Sequence, residues 1–284
     1  MALDSRRGKK RKGKKRKIFS PIYLTLVLVI LYLPILMVVI YSFNSGRTIG
    51  AWQGFTTGWY TRLFGNALMG DALKNSLILA ALSSGLAGAI GTLGAIGLAR
   101  GHLRGAGALE SLATLPMMIP ELVLGMAYLA VFTAAGIKLG MGALVATHTA
   151  FCVPYVLINV KSRLAGMDPA LEEAARDLGA RPMRVLRDIT LPLIMPSVVS
   201  GMMLSAAMSL DDVVISFFVT SAETTTLPLK VYTGLRSGGT PEINALSTLM
   251  LGAIFICVAL SQLLSARSAR NDSTRSNAAE NRSS

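Results

Sequence analysis

Three carboxylates lie inside long apolar runs of the sequence. Glu121 lies in LPMMIPELVLG, and Asp211 and Asp212 lie in MSLDDVVISFFV. A charged side chain at the centre of a bilayer costs about 2.5–3.5 kcal/mol on insertion scales, so such a residue is a candidate functional group. Neither run contains a basic residue, and unpaired carboxylates would suit a path for a cationic solute. The alternative is that Asp211 and Asp212 mark a break in their helix and are satisfied by water or by a partner subunit.

A second set of polar residues interrupts the apolar pattern at 172–192, EEAARDLGARPMRVLRDITLP. Asp168 and Pro169 predict the start of a helix, as an N-cap acceptor followed by a residue whose φ is already helical. Gly179 suits the left-handed position that ends a helix, and Pro182 then opens a second one. Three arginines share one face of that second helix: Arg181, Arg184 and Arg187. We therefore predict two short helices with a sharp bend, lying against a membrane.

The elements that carry these groups are apolar segments long enough to cross a bilayer. The chain is 52% hydrophobic and 15% charged over 284 residues, with a mean hydropathy of +0.54, which is typical of a membrane protein. A span needs about 20 mostly apolar residues. Six segments qualify: 19–43, 72–99, 109–135, 139–161, 192–220 and 243–265. We predict an all-α integral membrane protein with six transmembrane helices and polar tails at 1–18 and 267–284.

The distribution of basic residues predicts the sidedness of these spans. Of the 28 lysines and arginines, 22 lie in the two tails and in the loops 100–108 and 161–191. Because basic residues concentrate on the cytoplasmic side, we expect both termini and the charged loop 164–191 in the cytoplasm. Ten of the 28 lie in 6–17, where they suit attraction to anionic headgroups rather than binding to nucleic acid. The tail 267–284 is expected to be disordered.

Several other functions are disfavoured by the residues present. The run GKKRKGKK at 8–15 has the spacing of a phosphate-binding loop, but Lys15 stands where the magnesium-binding hydroxyl belongs, and no strand precedes it. His102 and His148 are the only histidines, too few for a zinc site without other ligands. A helix-turn-helix reader of DNA is disfavoured at 172–192, because the flanking spans tether that loop to the bilayer. No catalytic cluster of His, Cys and Asp is visible in the sequence, so neither an enzyme nor a bound cofactor is predicted.

The second predicted span carries a glycine at every third position: Gly85, Gly88, Gly91, Gly94 and Gly97. Small residues let helix backbones approach closely in lipid, where no hydrophobic force joins helices. We therefore expect tight packing along this face. The alternative is that the glycines mark a pair of helices that move relative to each other.

The charged loop carries a spaced pattern that matches a known motif. Three residues separate EAA from the glycine, nine separate the glycine from the isoleucine, and one separates the isoleucine from LP. The positions are Glu173, Ala174, Ala175, Gly179, Ile189, Leu191 and Pro192. The pattern resembles the EAA loop of binding-protein-dependent ABC importer permeases, and it lies between two late spans, as in that family. The WYTRLF segment and the Asn75-Ser76 pair are similar too, and the resemblance covers about 60–270.

The resemblance implies the type I ABC importer permease fold, with a six-span permease domain at 19–266 and a coupling helix inside 164–191. In that family the EAA loop seats in a cleft of the ATP-hydrolysing subunit. Carried over to this sequence, Glu173 is the charged contact, the two alanines permit close approach, and Gly179 makes the bend. The chain itself would bind no cofactor, because ATP is used by a dimer of cytoplasmic ATP-binding subunits.

The fifth span and the segment after it narrow the resemblance to one subgroup of these permeases. SLDDVVISFFVT and TTLPLKVYTGLRSGGTPEINALSTLML are similar to the second permease subunit of spermidine/putrescine importers. This similarity implies a polyamine as the solute, which suits an acidic path of Glu121, Asp211 and Asp212, in a bacterial inner membrane. It also implies a second, non-identical permease subunit and an extracytoplasmic substrate-binding protein as partners, besides membrane lipid.

Two alternatives stay open. Permeases of the same type for iron, molybdate, opines or sulfonates share parts of the segments that relate to the substrate. A gradient-driven transporter would typically show an internal repeat between its halves, and none is visible in the sequence. ATP-dependent uptake that vanadate inhibits would separate the two energy sources.

Overall fold

The computed structural model describes residues 5–46, 51–101, 105–236, 241–252 and 255. Within these ranges the chain forms helices, and its one β-type contact is an isolated bridge between Asn44 and Phe55. The helices are α1 (Ser5–Tyr41), α2 (Gly58–Gly65), α3 (Ala67–Arg100), α4 (Ala106–Thr114), α5 (Glu121–Ala134), α6 (Met141–Ala165), α7 (Ala170–Asp177), α8 (Pro182–Val185), α9 (Leu191–Asp211), α10 (Val214–Val219) and α11 (Leu227–Arg236). A 3₁₀ turn follows α4 at Leu115–Met117, and a π-turn joins α8 to α9 at Leu186–Thr190. The predicted all-α fold is confirmed.

Four helical segments of the described residues are long and apolar enough to cross a membrane: Tyr23–Tyr41, Ala67–Arg100, Met141–Ala165 and Pro182–Asp211. A bent pair, Ala106–Met117 and Glu121–Ala134, makes a fifth if it forms one span. These segments correspond to the first five predicted spans. Residues 241–252 are helical, but most of the sixth predicted span, 243–265, and the tail 267–284 lie outside the described residues. The count of six spans and the domain boundaries therefore stay predictions.

The third predicted span, 109–135, is not a straight helix. Its two halves, α4 with the 3₁₀ turn and α5, meet at an angle of 102°. Pro116 and Pro120 explain the break, because proline lacks an N–H and disfavours helical backbone at the residue before it. Pro120 has an extended ψ of 130°, and α5 begins at the next residue, Glu121.

The fifth predicted span, 192–220, is displaced toward the N-terminus. Its helix begins at Pro182 and ends at Asp211, so the predicted second short helix of the charged loop is instead the first part of this span. The π-turn allows the helix to continue through Pro192. The N–H of Leu191 bonds to the carbonyl five residues back, and this wider turn relieves the crowding that proline causes in an α-helix.

Residues 66–233 form one compact unit. Its core lies where α3, α6 and α9 pack on one another, and α10 packs mainly on α5. Five apolar side chains at the centre are almost fully buried: Leu79, Leu144, Val156, Ile194 and Ile215. In lipid, such helices associate through close packing and hydrogen bonds between them.

The glycine face of α3 shows where that packing is tightest. A Cβ on Gly91 would lie 2.8 Å from the Cβ of Val156, and one on Gly88 would lie 2.7 Å from the Met202 side chain. The predicted tight packing is confirmed at these two positions. Gly97 differs, because no other side chain of the described residues lies within 4 Å of a Cβ placed there.

The described residues before Asn66 and after Thr233 belong to a separate unit. Within it, the segment after α1 folds onto α2. The indole N–H of Trp59 donates to the carbonyl of Asn44 at 2.7 Å, and both residues are buried. The aromatic segment that includes WYTRLF thus forms a short helix, α2, held by its tryptophan.

Candidate coupling loop and solute path

The charged loop at 164–191 contains α7, which begins and ends where the sequence predicts. The Asp168 carboxylate accepts the N–H of Ala170 at 3.0 Å, which satisfies one of the free donors at the start of the helix. At the other end Gly179 has a φ of +82°. Glycine adopts this left-handed conformation without the strain that a Cβ would cause. The predicted left-handed end of the helix at Gly179 is confirmed.

One face of α7 is open to solvent. Glu173 and Ala174 are exposed, and Ala175 is half-buried. Two large apolar side chains on either side of Gly179, Leu178 and Met183, are 89% and 72% exposed. An acid, small residues and bare apolar groups therefore lie close together in the sequence around this bend, with no described residue covering them.

The later motif positions lie where the loop joins the fifth span. Ile189 is in the π-turn, and Leu191 and Pro192 start α9. Ile189 and Leu191 are half-buried, whereas Pro192 is exposed. They shape the connection between the loop and the transmembrane helix, since Pro192 requires the π-turn beside it.

Glu172, the residue before the motif acid, is the buried acid of the loop. It is 4% exposed, and its carboxylate forms ion pairs with Arg100 and with Arg176, the latter at 3.4 Å. The Thr190 hydroxyl donates to it at 2.6 Å. From the sequence, Glu172 is one of two acids favoured by the dipole of α7. Its burial depends on Arg100 at the end of α3, a tertiary contact that no local pattern reports.

A cleft lies beside this cluster, with a volume of about 380 Å³. Its lining residues come from the ends of α3 and α6 and from α7: Ala99, Arg100, Leu164, Ala165, Met167, Asp168, Pro169, Glu172, Glu173 and Arg176. Open space thus separates much of α7 from the ends of these two long helices. The ion pair of Glu172 with Arg100 joins α7 to the end of α3 beside this cleft.

The helix of the fifth span does break at the paired acids. The Asp212 carboxylate is buried and accepts the N–H groups of Ile215 and Ser216 at 3.1 and 2.8 Å, which caps α10. His148 Nε2 on α6 lies 3.4 Å from the same carboxylate. The expectation of carboxylates without a basic neighbour is therefore wrong for Asp212. Its neighbour comes from the fourth span, and the position of a histidine inside an apolar span is the signal that would have found it.

Hydrogen bonds extend this cluster across the helices. His148 Nδ1 lies 2.9 Å from the Ser209 hydroxyl, and Nε2 lies 3.2 Å from that of Ser216. The Ser83 hydroxyl on α3 donates to Ser209 at 3.2 Å. All of these side chains are buried. A satisfied network of this kind fixes one arrangement of α3, α6, α9 and α10.

The other two acids are differently placed. Glu121 is the first residue of α5, directly after the bend of the third span, and Asp211 is the last residue of α9. Both are exposed, and neither has a hydrogen bond or ion pair with another described residue. These carboxylates are thus available to a solute or to a partner subunit. Within the described residues no group of three or more His, Cys, Asp or Glu side chains is placed to hold a metal ion.

The Asn75-Ser76 pair holds the segment that follows α10. The Asn75 amide donates to the carbonyls of Glu223 and Thr225 at 3.1 and 3.3 Å. The N–H of Leu227, the first residue of α11, donates to the Ser76 hydroxyl at 2.8 Å. The resemblance singled out these two residues without assigning them a role, and the structure gives them one.

Comparison with known proteins places the chain in a family. Residues 87–271 match the family described as "Binding-protein-dependent transport system inner membrane component". The chain belongs to this family of transport permeases, as the EAA pattern predicts.

Relatives in the family are similar to this chain over nearly its whole length. The spermidine/putrescine transport system permease protein PotC of Escherichia coli (strain K12) is 42% identical over 85% of this chain and 92% of its own length. PotC of Haemophilus influenzae is 42% identical, with 85% and 94% covered. The putrescine transport system permease protein PotI of Escherichia coli (strain K12) is 41% identical, with 84% and 87% covered.

Solved structures share the fold at lower identity. A bacterial ABC transporter involved in the import of alginate contains a chain with a TM-score of 0.70 and 16% identity, over 89% of this chain and 97% of that one. A chain of the MetNI methionine ABC transporter gives a TM-score of 0.55 at 16% identity, over 73% and 95%. These likenesses confirm the predicted ABC importer permease fold. The roles of the seven motif residues and of the three acids stay predictions.

Proposed function

We propose that this chain is a permease subunit of an ATP-driven ABC importer and forms the translocation path for the polyamines putrescine and spermidine. The observation that carries the proposal is the 41–42% identity to polyamine permeases over 84–85% of the chain. The segment SLDDVVISFFVT, which contains two of the candidate path residues, supports the same substrate class.

The chemistry of the candidate path suits a polycation. Polyamines carry a positive charge on each amine at neutral pH, and carboxylates attract them. Glu121 and Asp211 are exposed and unpaired within the described residues, so they are free to bind such a solute. Asp212 is bonded to His148 and to the start of α10, and its part in the path is to fix the shape of the helix break.

The partners follow from the family, which is described as binding-protein-dependent, and one of them also from a surface that the chain leaves open. Glu173, Leu178 and Met183 surround the bend of the coupling loop, where a dimer of cytoplasmic ATP-binding subunits would dock. A second, non-identical permease subunit would complete the path, and an extracytoplasmic binding protein would deliver the solute. The chain lies in the bacterial inner membrane with both termini in the cytoplasm, and ATP is bound by the partner subunits rather than by this chain.

Permeases for iron, molybdate, opines or sulfonates are the competing assignments. Molybdate and sulfonates are anions, which two exposed carboxylates would repel. The relatives reported above are named for polyamines, and this weighs against the other solutes. A gradient-driven mechanism is disfavoured by family membership.

Uptake into proteoliposomes tests the proposal. The chain is reconstituted with its second permease subunit and ATP-binding subunits, and labelled putrescine or spermidine is supplied with the binding protein. We expect uptake that requires ATP on the side of the membrane where the ATP-binding subunits lie. Vanadate should abolish this uptake. Excess unlabelled polyamine should compete, while molybdate and a sulfonate should not. Uptake that an ion gradient drives without ATP, or competition only by the anions, would overturn the proposal.

A further inference from the structure

Glu172 joins three separate elements through one carboxylate. It lies on α7, its ion-pair partner Arg100 is the last residue of α3, and Thr190 lies in the π-turn that leads into α9. Arg176, one turn further along α7, completes the set at 3.4 Å. We call these four residues the Glu172 latch. It connects the coupling loop to the second and fifth spans.

The ion pairs and the hydrogen bond of the Glu172 latch hold the coupling loop where apolar packing is sparse. The cleft of about 380 Å³ lies between α7 and the ends of α3 and α6, so few apolar contacts hold the loop to these helices. The Glu172 carboxylate is buried, and hydrogen bonds that join ionised groups are about twice as strong as those between neutral groups. The ion pair with Arg100 is therefore the firmest link between α7 and the end of the second span.

Glu172 and Glu173 divide two tasks between neighbouring positions. Successive residues on an α-helix point about 100° apart, so the two acids point in different directions. Glu172 is buried against Arg100 and Thr190, whereas Glu173 is exposed and lines the open cleft. A displacement of α7 at Glu173 thus reaches the Glu172 carboxylate within the same helical turn.

We propose that Glu172 is a positioning residue that fastens the coupling loop to α3 and to the start of α9, so that movement of α7 is transmitted to both transmembrane helices. The inference rests on the proposed function, because it needs an ATP-binding subunit that moves α7. Without the latch, α7 follows that subunit while α3 stays behind. ATP is then hydrolysed without a matching movement of the solute.

The test compares Glu172→Gln with two matched variants in the reconstituted complex. Glu172→Asp keeps the charge on a shorter side chain, and Asp188→Asn makes the same acid-to-amide change at an exposed position of the charged loop outside α7. Three quantities are measured: the amount of ATP-binding subunit that copurifies, the rate of ATP hydrolysis, and the number of polyamine molecules taken up per ATP. We expect the Glu172→Gln complex to assemble and to hydrolyse ATP, but to take up about five-fold less polyamine per ATP, or less still. Typical coupling free energies between two sites correspond to changes of this size. Glu172→Asp should recover most of that loss, and Asp188→Asn should match the wild type.

Hydrogen exchange supplies a readout that does not depend on the solute. In the wild-type complex, trapping ATP with vanadate should change amide exchange both in α7 and at the end of α3. Glu172→Gln should keep the change in α7 and lose it at the end of α3. If the solute assignment is wrong but the ATP-binding subunits bind, this measurement still decides the inference.

Two results would overturn the inference. One is a Glu172→Gln complex with the wild-type ratio of uptake to hydrolysis and wild-type exchange at α3. The other is parallel loss of assembly, hydrolysis and uptake, which indicates a residue needed only for folding. A wild-type complex that takes up no polyamine while exchange at α3 responds to ATP would refute the proposed substrate and leave the latch supported.

Discussion

His148 on α6 and Asp212 at the end of α9 lie 3.4 Å apart, from the imidazole Nε2 to a carboxylate oxygen, and both are buried. The carboxylate also accepts the N–H groups of Ile215 and Ser216. This one side chain, directly after the end of α9, therefore caps α10 and ties it to α6. A helix can break at membrane depth when the freed backbone groups are satisfied in this way.

Replacing Asp212 should destabilise the fold rather than only slow transport. Asp212→Ala removes the cap of α10 and leaves His148 without its carboxylate. Loss of one partner of a buried pair typically costs about 3 kcal/mol or more, so we expect a clear fall in the thermal unfolding midpoint in detergent. Asp211→Ala, at the exposed neighbouring position, is the matched control and should change stability by no more than about 0.5 kcal/mol. Equal midpoints for the two variants would contradict the role assigned to Asp212.

Reversing the charge of Glu173 should disconnect the permease from its energy source. Glu173 is exposed on α7 and has no part in the internal bonds of Glu172, so Glu173→Lys leaves the fold intact. We expect normal membrane insertion with uptake reduced to the level without ATP, because a lysine would face the surface that accepted an acid. Asp188→Lys introduces the same charge reversal at an exposed position of the charged loop outside α7 and should retain uptake. Normal uptake with Glu173→Lys would show that the EAA loop is not the docking element.

Local chemistry made the coupling loop predictable. Asp168 and Gly179 mark the ends of α7 through capping and backbone conformation, which depend on residues a few positions away. The structure has both features. Pro116 and Pro120 are the visible cause of the bend in the third span. Prolines report that a helix is interrupted, but the angle depends on what each half packs against.

Contacts between distant segments were not predictable. Glu172 is buried because Arg100 and Thr190 meet it, and Asp212 is paired because α6 brings His148 to it. In a single sequence each of these residues has many possible partners. The start of the fifth span at Pro182 was also missed, because the charged residues of 181–188 conceal a helix that continues into the apolar run.

Two glycines of α3 should respond oppositely to alanine. At Gly91 a Cβ would meet Val156 at 2.8 Å and the Val153 carbonyl at 3.0 Å, so Gly91→Ala must push α3 from α6. Overpacking of this kind costs about 1–3 kcal/mol. At Gly97 nothing in the described part of the chain lies within 4 Å of the new Cβ, and Gly97→Ala should stabilise the helix by up to about 1 kcal/mol. Thermal unfolding of the two variants tests the pair, and a loss of stability at Gly97 alone would contradict the observed packing.

The exposed acids Glu121 and Asp211 should affect the affinity for solute more than the fold. If they line the path, Glu121→Gln and Asp211→Asn each remove one attraction for a polycation. An attraction between solvent-exposed charges about 4 Å apart is worth about 1 kcal/mol, which corresponds to roughly a five-fold change in affinity. We expect a rise in KM of that order, with unfolding midpoints close to that of the wild type.

Charge and salt distinguish an acidic path from other causes of a raised KM. Spermidine carries one more amine than putrescine, so each substitution should weaken spermidine uptake more than putrescine uptake. Salt screens exposed charges, and the difference between variant and wild type should therefore shrink as ionic strength rises. Asp188→Asn, an exposed acid of the coupling loop, controls for loss of negative charge elsewhere and should leave KM unchanged. If Glu121→Gln and Asp211→Asn both give the wild-type KM for both polyamines, these carboxylates do not line the path, and the solute must contact other residues.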